Sequence, residues 1–207
     1  LYIFMYFTKG KFSLLNFLII PAINIIMCLP AVIAGRDILD VLLLYVNQSG
    51  YYHFMTMKAP SLYYIIPGDY KLLHRFALVL TVIAFGCLLY YVIKKKVKWN
   101  NEQILIACLL SVMLAVFLLP GMHERYMIIA DVVSVIWYLA YRKKIYIPIL
   151  INLVSLLCYV PYLFGVVIID FWLLSLVLFG VIIIVLKYFM EITNNQSISK
   201  KTKENDV

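Results

Sequence analysis

The stretch Leu119-Pro120-Gly121-Met122-His123-Glu124-Arg125-Tyr126 sets three ionisable side chains in a row between two apolar runs. A charged group at membrane depth costs about 2.5–3.5 kcal/mol at a helix centre, so such groups gather where a polar cavity or a partner receives them. Arg125 offers a planar fork of donors that matches phosphate oxygens. Glu124 can orient that fork or help hold a divalent ion, and His123 can donate or accept a proton. Together they suit a phosphorylated lipid headgroup. The plainer reading is a headgroup-level turn with an internal Glu124–Arg125 pair.

Asp131 follows Glu124 by seven residues. On a helix beginning near Glu124, a turn of about 100° per residue returns Asp131 to nearly the same face, about 10 Å deeper. It is the candidate cavity acid, facing either the same cavity as the triplet or a hydrogen-bonding partner such as Asn152 or Ser155 on the following apolar run.

A second polar stretch lies upstream, in the roughly forty residues from Gly35 to His74. That is long for a connection in a compact bundle, and long loops tend to carry function. Asp37, with Asp40 three residues on, reads as a helix start, and Ile38 to Val46 has the length and apolarity of an interfacial helix. Tyr45, Tyr51, Tyr52, Tyr63, Tyr64 and Tyr70 suit anchors at the headgroup level, where one end of the ring is apolar and the other wet. The sharper alternative places Tyr45, Asn47 and Gln48 in a pocket, their hydroxyl and amide groups bonded to a sugar or phosphate. His53 and His74 lack an acidic neighbour at ligand spacing and read as surface histidines.

The elements that must position these residues are membrane helices. Of 207 residues, 65% are hydrophobic and 14% charged, and the mean hydropathy is +0.98. A hydrocarbon core about 30 Å thick takes roughly 20 apolar residues per span. Hydropathy predicts an all-α, polytopic transmembrane bundle of about six complete spans, near 13–34, 75–93, 103–120, 126–141, 146–162 and 171–189. Residues 1–189 form the membrane domain, and Leu1 to Thr8 reads as the last turns of a span that begins upstream. The chain thus reads as the carboxy-terminal part of a longer bundle. Residues 190–207 are polar, without an aromatic or aliphatic run, and read as a disordered cytoplasmic tail.

Charge sets the expected orientation. Lys9, Lys11, Lys94, Lys95, Lys96, Lys98, Arg142, Lys143, Lys144, Lys187, Lys200, Lys201 and Lys203 fall on one side, thirteen of the eighteen cations. Cytoplasmic loops retain such cations, so this side and the carboxy terminus are expected to face the cytoplasm, with the Gly35–His74 loop and the Gly121 turn outside. The net charge of +8 follows from this topology and attraction to anionic inner-leaflet lipid, without nucleic acid. No Gly-rich phosphate loop or repeat is present, which argues against ATP hydrolysis. Cys28, Cys87, Cys108 and Cys158 lie singly in apolar runs and read as core residues. A plasma membrane, most simply a bacterial one, fits this disulfide-free basic bundle.

Tyr45-Val46-Asn47-Gln48, Tyr51-Tyr52 and Ala59-Pro60-Ser61-Leu62-Tyr63, with Pro120 and Met122-His123-Glu124-Arg125-Tyr126, resemble the bacterial GT-C glycosyltransferases, mannosyltransferase-like enzymes that use a polyprenyl-phosphate sugar. Lys58 departs from the asparagine that similar sequences often carry before Ala-Pro. The resemblance implies an inverting hexosyl transfer to a cell-envelope glycan, lipid or protein on the outer face. It implies that the catalytic aspartate belongs to a first outward loop upstream of Leu1, leaving no catalytic residue assigned here. It implies that His123, Glu124, Arg125, Tyr45, Asn47 and Gln48 bind the donor phosphate or substrate. Metal dependence varies among members, so Mg or Mn enters as an expectation without assigned ligands. The expected partners are the bilayer and the lipid-linked sugar. A transporter or flippase for a lipid-linked saccharide, or a noncatalytic membrane subunit, would use many of the same features. Inverted repeats would mark the transporter, and tolerance of substitution at the triplet would mark the subunit.

Overall fold

The computed structural model describes residues 14–44, 53–97 and 99–205. The chain divides into two compact units that meet at His53 and Phe54.

In the first unit a 3₁₀ turn, Leu14–Leu18, leads into α1, Ile19–Ile33. Pro30 lies in its last turn, where its missing N–H removes one rung of the helix ladder. Gly35, with φ of 92°, then reverses the chain, its N–H bonded to the Val32 carbonyl and that of Arg36 to Ala31. This is the Schellman arrangement that favours glycine. Asp37 caps α2, Ile38–Leu42, by accepting from the Leu39 and Asp40 amides at 2.7 and 3.3 Å, which is the helix start expected from its sequence. The described helix is a little over one turn and is capped at Leu43, shorter than the expected Ile38–Val46, of which Tyr45 and Val46 lie outside the described residues.

The second unit holds the short strand β1, Thr56–Met57, and a single turn α3, Leu62–Ile65. There follow α4, Tyr70–Lys94, and α5, Asn101–Leu118. Next come β2, Met122–His123, a 3₁₀ turn at Glu124–Met127, and α6, Ile128–Tyr141. The chain closes with α7, Tyr146–Phe164, and α8, Phe171–Asn205. Among the described residues four helices are long and apolar enough to cross a membrane: α4, α5, α7 and residues Phe171–Asn195 of α8.

The expected spans near 13–34 and 126–141 yield α-helices of only 15 and 14 residues. At 1.5 Å per residue these reach about 22 and 21 Å, short of a hydrocarbon core. The cause in α6 is visible at both ends. Its first turn is wound as 3₁₀, and Arg142 stops it in the left-handed region at φ 53°. The composition of residues 190–207 predicts an unstructured tail, yet α8 runs on through residue 205. Extending an anchored helix needs no new nucleus, which removes the main obstacle to helix in a polar segment.

Contacts run α5 to α6, α6 to α7, α7 to α8 and α8 back to α5, so these four helices close a ring, with α4 packed on α5. Ile106, Leu109, Leu110 and Met113 of α5 fill the ring with Trp137 of α6, Ile147 and Ile151 of α7, and Leu178 and Phe189 of α8. α5 begins with a full capping box: Asn100 accepts from the Gln103 amide at 2.8 Å, and the Gln103 side chain accepts from the Asn100 amide at 3.1 Å. That leaves a buried glutamine bonded at the ring's edge. On α4, Leu72, Phe76, Val79, Val82 and Ile83 stand exposed, a face that suits lipid better than water. Of the cysteines expected in the core, Cys158 is buried, Cys28 and Cys108 are half-buried, and Cys87 is exposed.

Candidate functional site

β1 and β2 pair in parallel, Thr56 opposite Met122 and Met57 opposite His123, and Lys58 continues the contact as a bridge to His123. The pairing joins the Ala-Pro-Ser loop to the His-Glu-Arg turn, which are more than sixty residues apart in the chain. Pro120-Gly121 makes the pairing possible. Gly121 holds φ at 70° and its N–H donates to the Met55 carbonyl at 3.0 Å. A Cβ there would meet only the Phe54 carbonyl at 3.8 Å, so the left-handed backbone rather than crowding calls for glycine.

The loop is pinned from beneath. Ala59, Ser61 and Tyr63 are buried. The Ser61 amide donates to the Ser175 hydroxyl of α8 at 3.0 Å, and the Ser175 hydroxyl donates in turn to the Phe171 carbonyl at 2.8 Å. The Tyr63 hydroxyl donates to the Leu118 carbonyl, one of the orphan acceptors at the carboxy-terminal end of α5. Tyr64 stacks on Phe171 at 4.9 Å, and its hydroxyl is within hydrogen-bonding reach of Thr56 and the Lys58 backbone. Burial raises both phenols, Tyr63 to about 12, so each stays a neutral donor at physiological pH. These two tyrosines are therefore struts within the fold, whereas the sequence favoured headgroup anchors.

The 3₁₀ turn sorts the triplet. With three residues per turn, Glu124 and Met127 share one face and are buried, while Arg125 and Tyr126 between them are exposed. His123 lies partly covered beside them, its Nδ1 3.9 Å from Glu124 Oε2 and its ring edge-on to Tyr126 at 5.9 Å. The guanidinium of Arg125 lies 5.9 Å from the Tyr126 ring centre. The internal Glu124–Arg125 pair of the plainer reading is not among the ion pairs of the described residues. Burial, then the nearby Arg125 charge, lowers the His123 pKa, partly offset by Glu124. At neutral pH the imidazole is neutral, and Arg125 carries the positive charge of the turn.

Asp131 meets α7, one of the expected directions, although the turn from Glu124 to Met127 is 3₁₀ rather than α-helical. Ser155 of α7 donates to Oδ2 at 2.7 Å, while Oδ1 is buried without a hydrogen-bond partner. Asn152, the other expected partner, instead donates to Ser134 at 3.4 Å and to the Pro148 carbonyl at 2.8 Å. Glu124 and Asp131 both act electrostatically on Cys158 and Tyr159 of α7. Both carboxylates therefore address the same helix, Glu124 from the turn and Asp131 from deeper in α6. Tyr45, Asn47 and Gln48 lie outside the described residues. No group of three or more His, Cys, Asp and Glu side chains among the described residues is arranged to hold a metal ion.

Sequence reasoning missed Ser61, Thr56 and Ser175 as the fixtures of the site. Ser175 carried a signal, a hydroxyl inside an apolar span, whereas Thr56 and Ser61 lie in a segment with no periodicity to read. No protein-family model, curated protein or solved structure matches the chain.

Proposed function

We propose that the chain is part of a membrane glycosyltransferase that moves a sugar from a polyprenyl-phosphate donor to a cell-envelope glycan, lipid or protein acceptor on the outer face of a bacterial plasma membrane. The observation that carries this reading is the β1–β2 pairing, which puts the two stretches resembling GT-C enzymes side by side. The expected frame is the six-span bundle, with the site end outward.

Arg125 is the residue best suited to the donor phosphate. It is exposed, permanently charged and held on a turn whose other face is locked by Glu124 and Met127. A guanidinium in that place stabilises the negative charge that grows on phosphate as the sugar departs. Neutral His123 can donate or accept one hydrogen bond beside it, and Glu124 sets the imidazole's orientation. Lys58 brings a second cation to the strand that carries this contact. Asp131 is placed to bond a sugar hydroxyl or to hold the α6–α7 seam through Ser155.

Arg125→Ala in the complete protein is expected to lower sugar transfer from a lipid-linked donor by 10²–10³-fold, roughly the effect of removing one charge-stabilising donor, while membrane insertion is retained. Transfer at the parental rate would sink the assignment. Unchanged transfer with lost translocation of the lipid-linked sugar would favour the transporter reading.

A further inference from the structure

The end of the bundle away from His123 is also strongly charged, and cations outnumber acids there. The carboxy-terminal end of α4, the start of α5, the α6–α7 turn and the middle of α8 meet there. Trp99 and Tyr91 pack on Phe189 at 6.2 and 6.3 Å, and Tyr91 donates to the Met190 carbonyl at 3.4 Å. Lys94, Lys95, Lys96, Arg142, Lys143, Lys144 and Lys187 gather at this end, against Glu102 and Glu191.

Lys143 is already engaged. Its ammonium lies 3.1 and 3.2 Å from the two oxygens of Glu102, and Tyr188 donates to Glu102 Oε1 at 2.5 Å. Glu102 is thus saturated and the turn fixed, and among the described residues neither Arg142 nor Lys144 forms an ion pair with an acid. Arg142 lies 5.7 Å from the Tyr138 ring centre and Lys144 4.6 Å from that of Tyr188, while Lys94 sits 5.5 Å from Tyr90. Tyrosines and cations are both common where apolar membrane gives way to headgroups.

Backbone conformation adds an independent observation. Arg142 and Lys144 both hold left-handed φ, 53° and 49°, and Lys96 does so at 48°. That conformation costs an L-residue about 1–2 kcal/mol relative to glycine. The same chain uses glycine in such a place at Gly35, after α1, and at Gly165, after α7. At the α6–α7 turn the backbone strain is borne by two cations instead. A helix dipole favours Arg142 at the end of α6 but gives no reason for Lys144, which precedes α7.

We propose that the Arg142–Lys144 turn binds the phosphate of an anionic phospholipid, with Arg142 and Lys144 supplying the charge and Lys143 serving as the strut that holds the turn to Glu102. The proposal rests on the bundle lying in a membrane and is independent of what the His123 end does.

The test is a titration of phosphatidylglycerol into phosphatidylcholine vesicles carrying the purified chain, read as the thermal unfolding midpoint. Phosphatidylglycerol is expected to raise the midpoint of the parent. Arg142→Gly with Lys144→Gly should match or exceed the parent in pure phosphatidylcholine, because glycine relieves the backbone. That variant should need a roughly fivefold or larger phosphatidylglycerol fraction for half the effect. Lys95→Gln with Lys187→Gln, which removes the same charge from the same end, should keep the parental titration. Equal losses in both double variants would overturn the site in favour of diffuse attraction, and an unshifted titration in the glycine variant would overturn it outright. A chain recovered from cells in the aqueous fraction would remove the membrane reading underneath, a result distinct from either.

Discussion

The two ends of the helix ring hold their acids differently. At the lysine-rich end Glu102 is saturated, bound through both oxygens to Lys143 and again by Tyr188, and it ties α5, the α6–α7 turn and α8 together. At the other end Asp131 keeps one buried oxygen without a hydrogen-bond partner, and Arg125 stands exposed. A charge that is fully answered within the protein holds helices together. A charge left unanswered in the same protein is available to a ligand, and polar groups held that way mark sites more than scaffolds.

Breaking the answered end should cost the most stability. Glu102→Ala leaves the Tyr188 hydroxyl and the Lys143 ammonium without their acceptor, and is expected to destabilise the fold by about 2–3 kcal/mol, read as a fall in the unfolding midpoint in detergent. Arg125→Ala, so damaging to transfer under the proposed function, should leave that midpoint within about 0.5 kcal/mol of the parent. A reversal of that order would erase the distinction between the two ends.

Gly121→Ala comes next. It forces a Cβ into the left-handed region at the turn that feeds β2, and about 1–2 kcal/mol of destabilisation is expected from the backbone alone. The Lys58–His123 contact should loosen with it, measurable as faster amide exchange at His123. Exchange at the parental rate would show that the strand pair does not depend on the turn.

The smallest effect sharpens the comparison by pH. Because the His123 pKa is lowered in the folded protein, the unfolded chain binds more protons between that lowered value and about 6.5. Stability is therefore full above about pH 6.5 and declines as pH falls through that window. With a single partly covered imidazole involved, the decline is slight. His123→Asn should flatten it.

Much of this frame was legible in the residues. Hydropathy located α4, α5, α7 and α8, the spacing of Asp37 and Asp40 gave the start of α2, and of the two partners named for Asp131 on the next apolar run Ser155 is the one that bonds it while Asn152 does not. Each depends on neighbours close in sequence or on one periodic face. The Glu102 cluster was not legible, because Lys143 and Tyr188 lie 41 and 86 residues from it and Glu102 reads locally as an ordinary acid in a helix's first turn. The strand pair was hidden for another reason. Two residues per strand are too few for an alternating pattern, and the register comes from Gly121 and the pinned loop. The length of α6 was misjudged because a 3₁₀ turn has the same composition as an α-helical one.

The bond from Ser61 to Ser175 spans 114 residues, and it sets an order of birth for the site. The loop leaves the ribosome before α4, but the hydroxyl that fixes it arrives only with α8. At about 5–20 residues per second, the loop waits roughly 6 to 23 seconds for its last anchor. The His123 end therefore stays incomplete until α8 is made, and a nascent chain stalled before Ser175 would present an intact α4–α5 hairpin with a loop still unfastened.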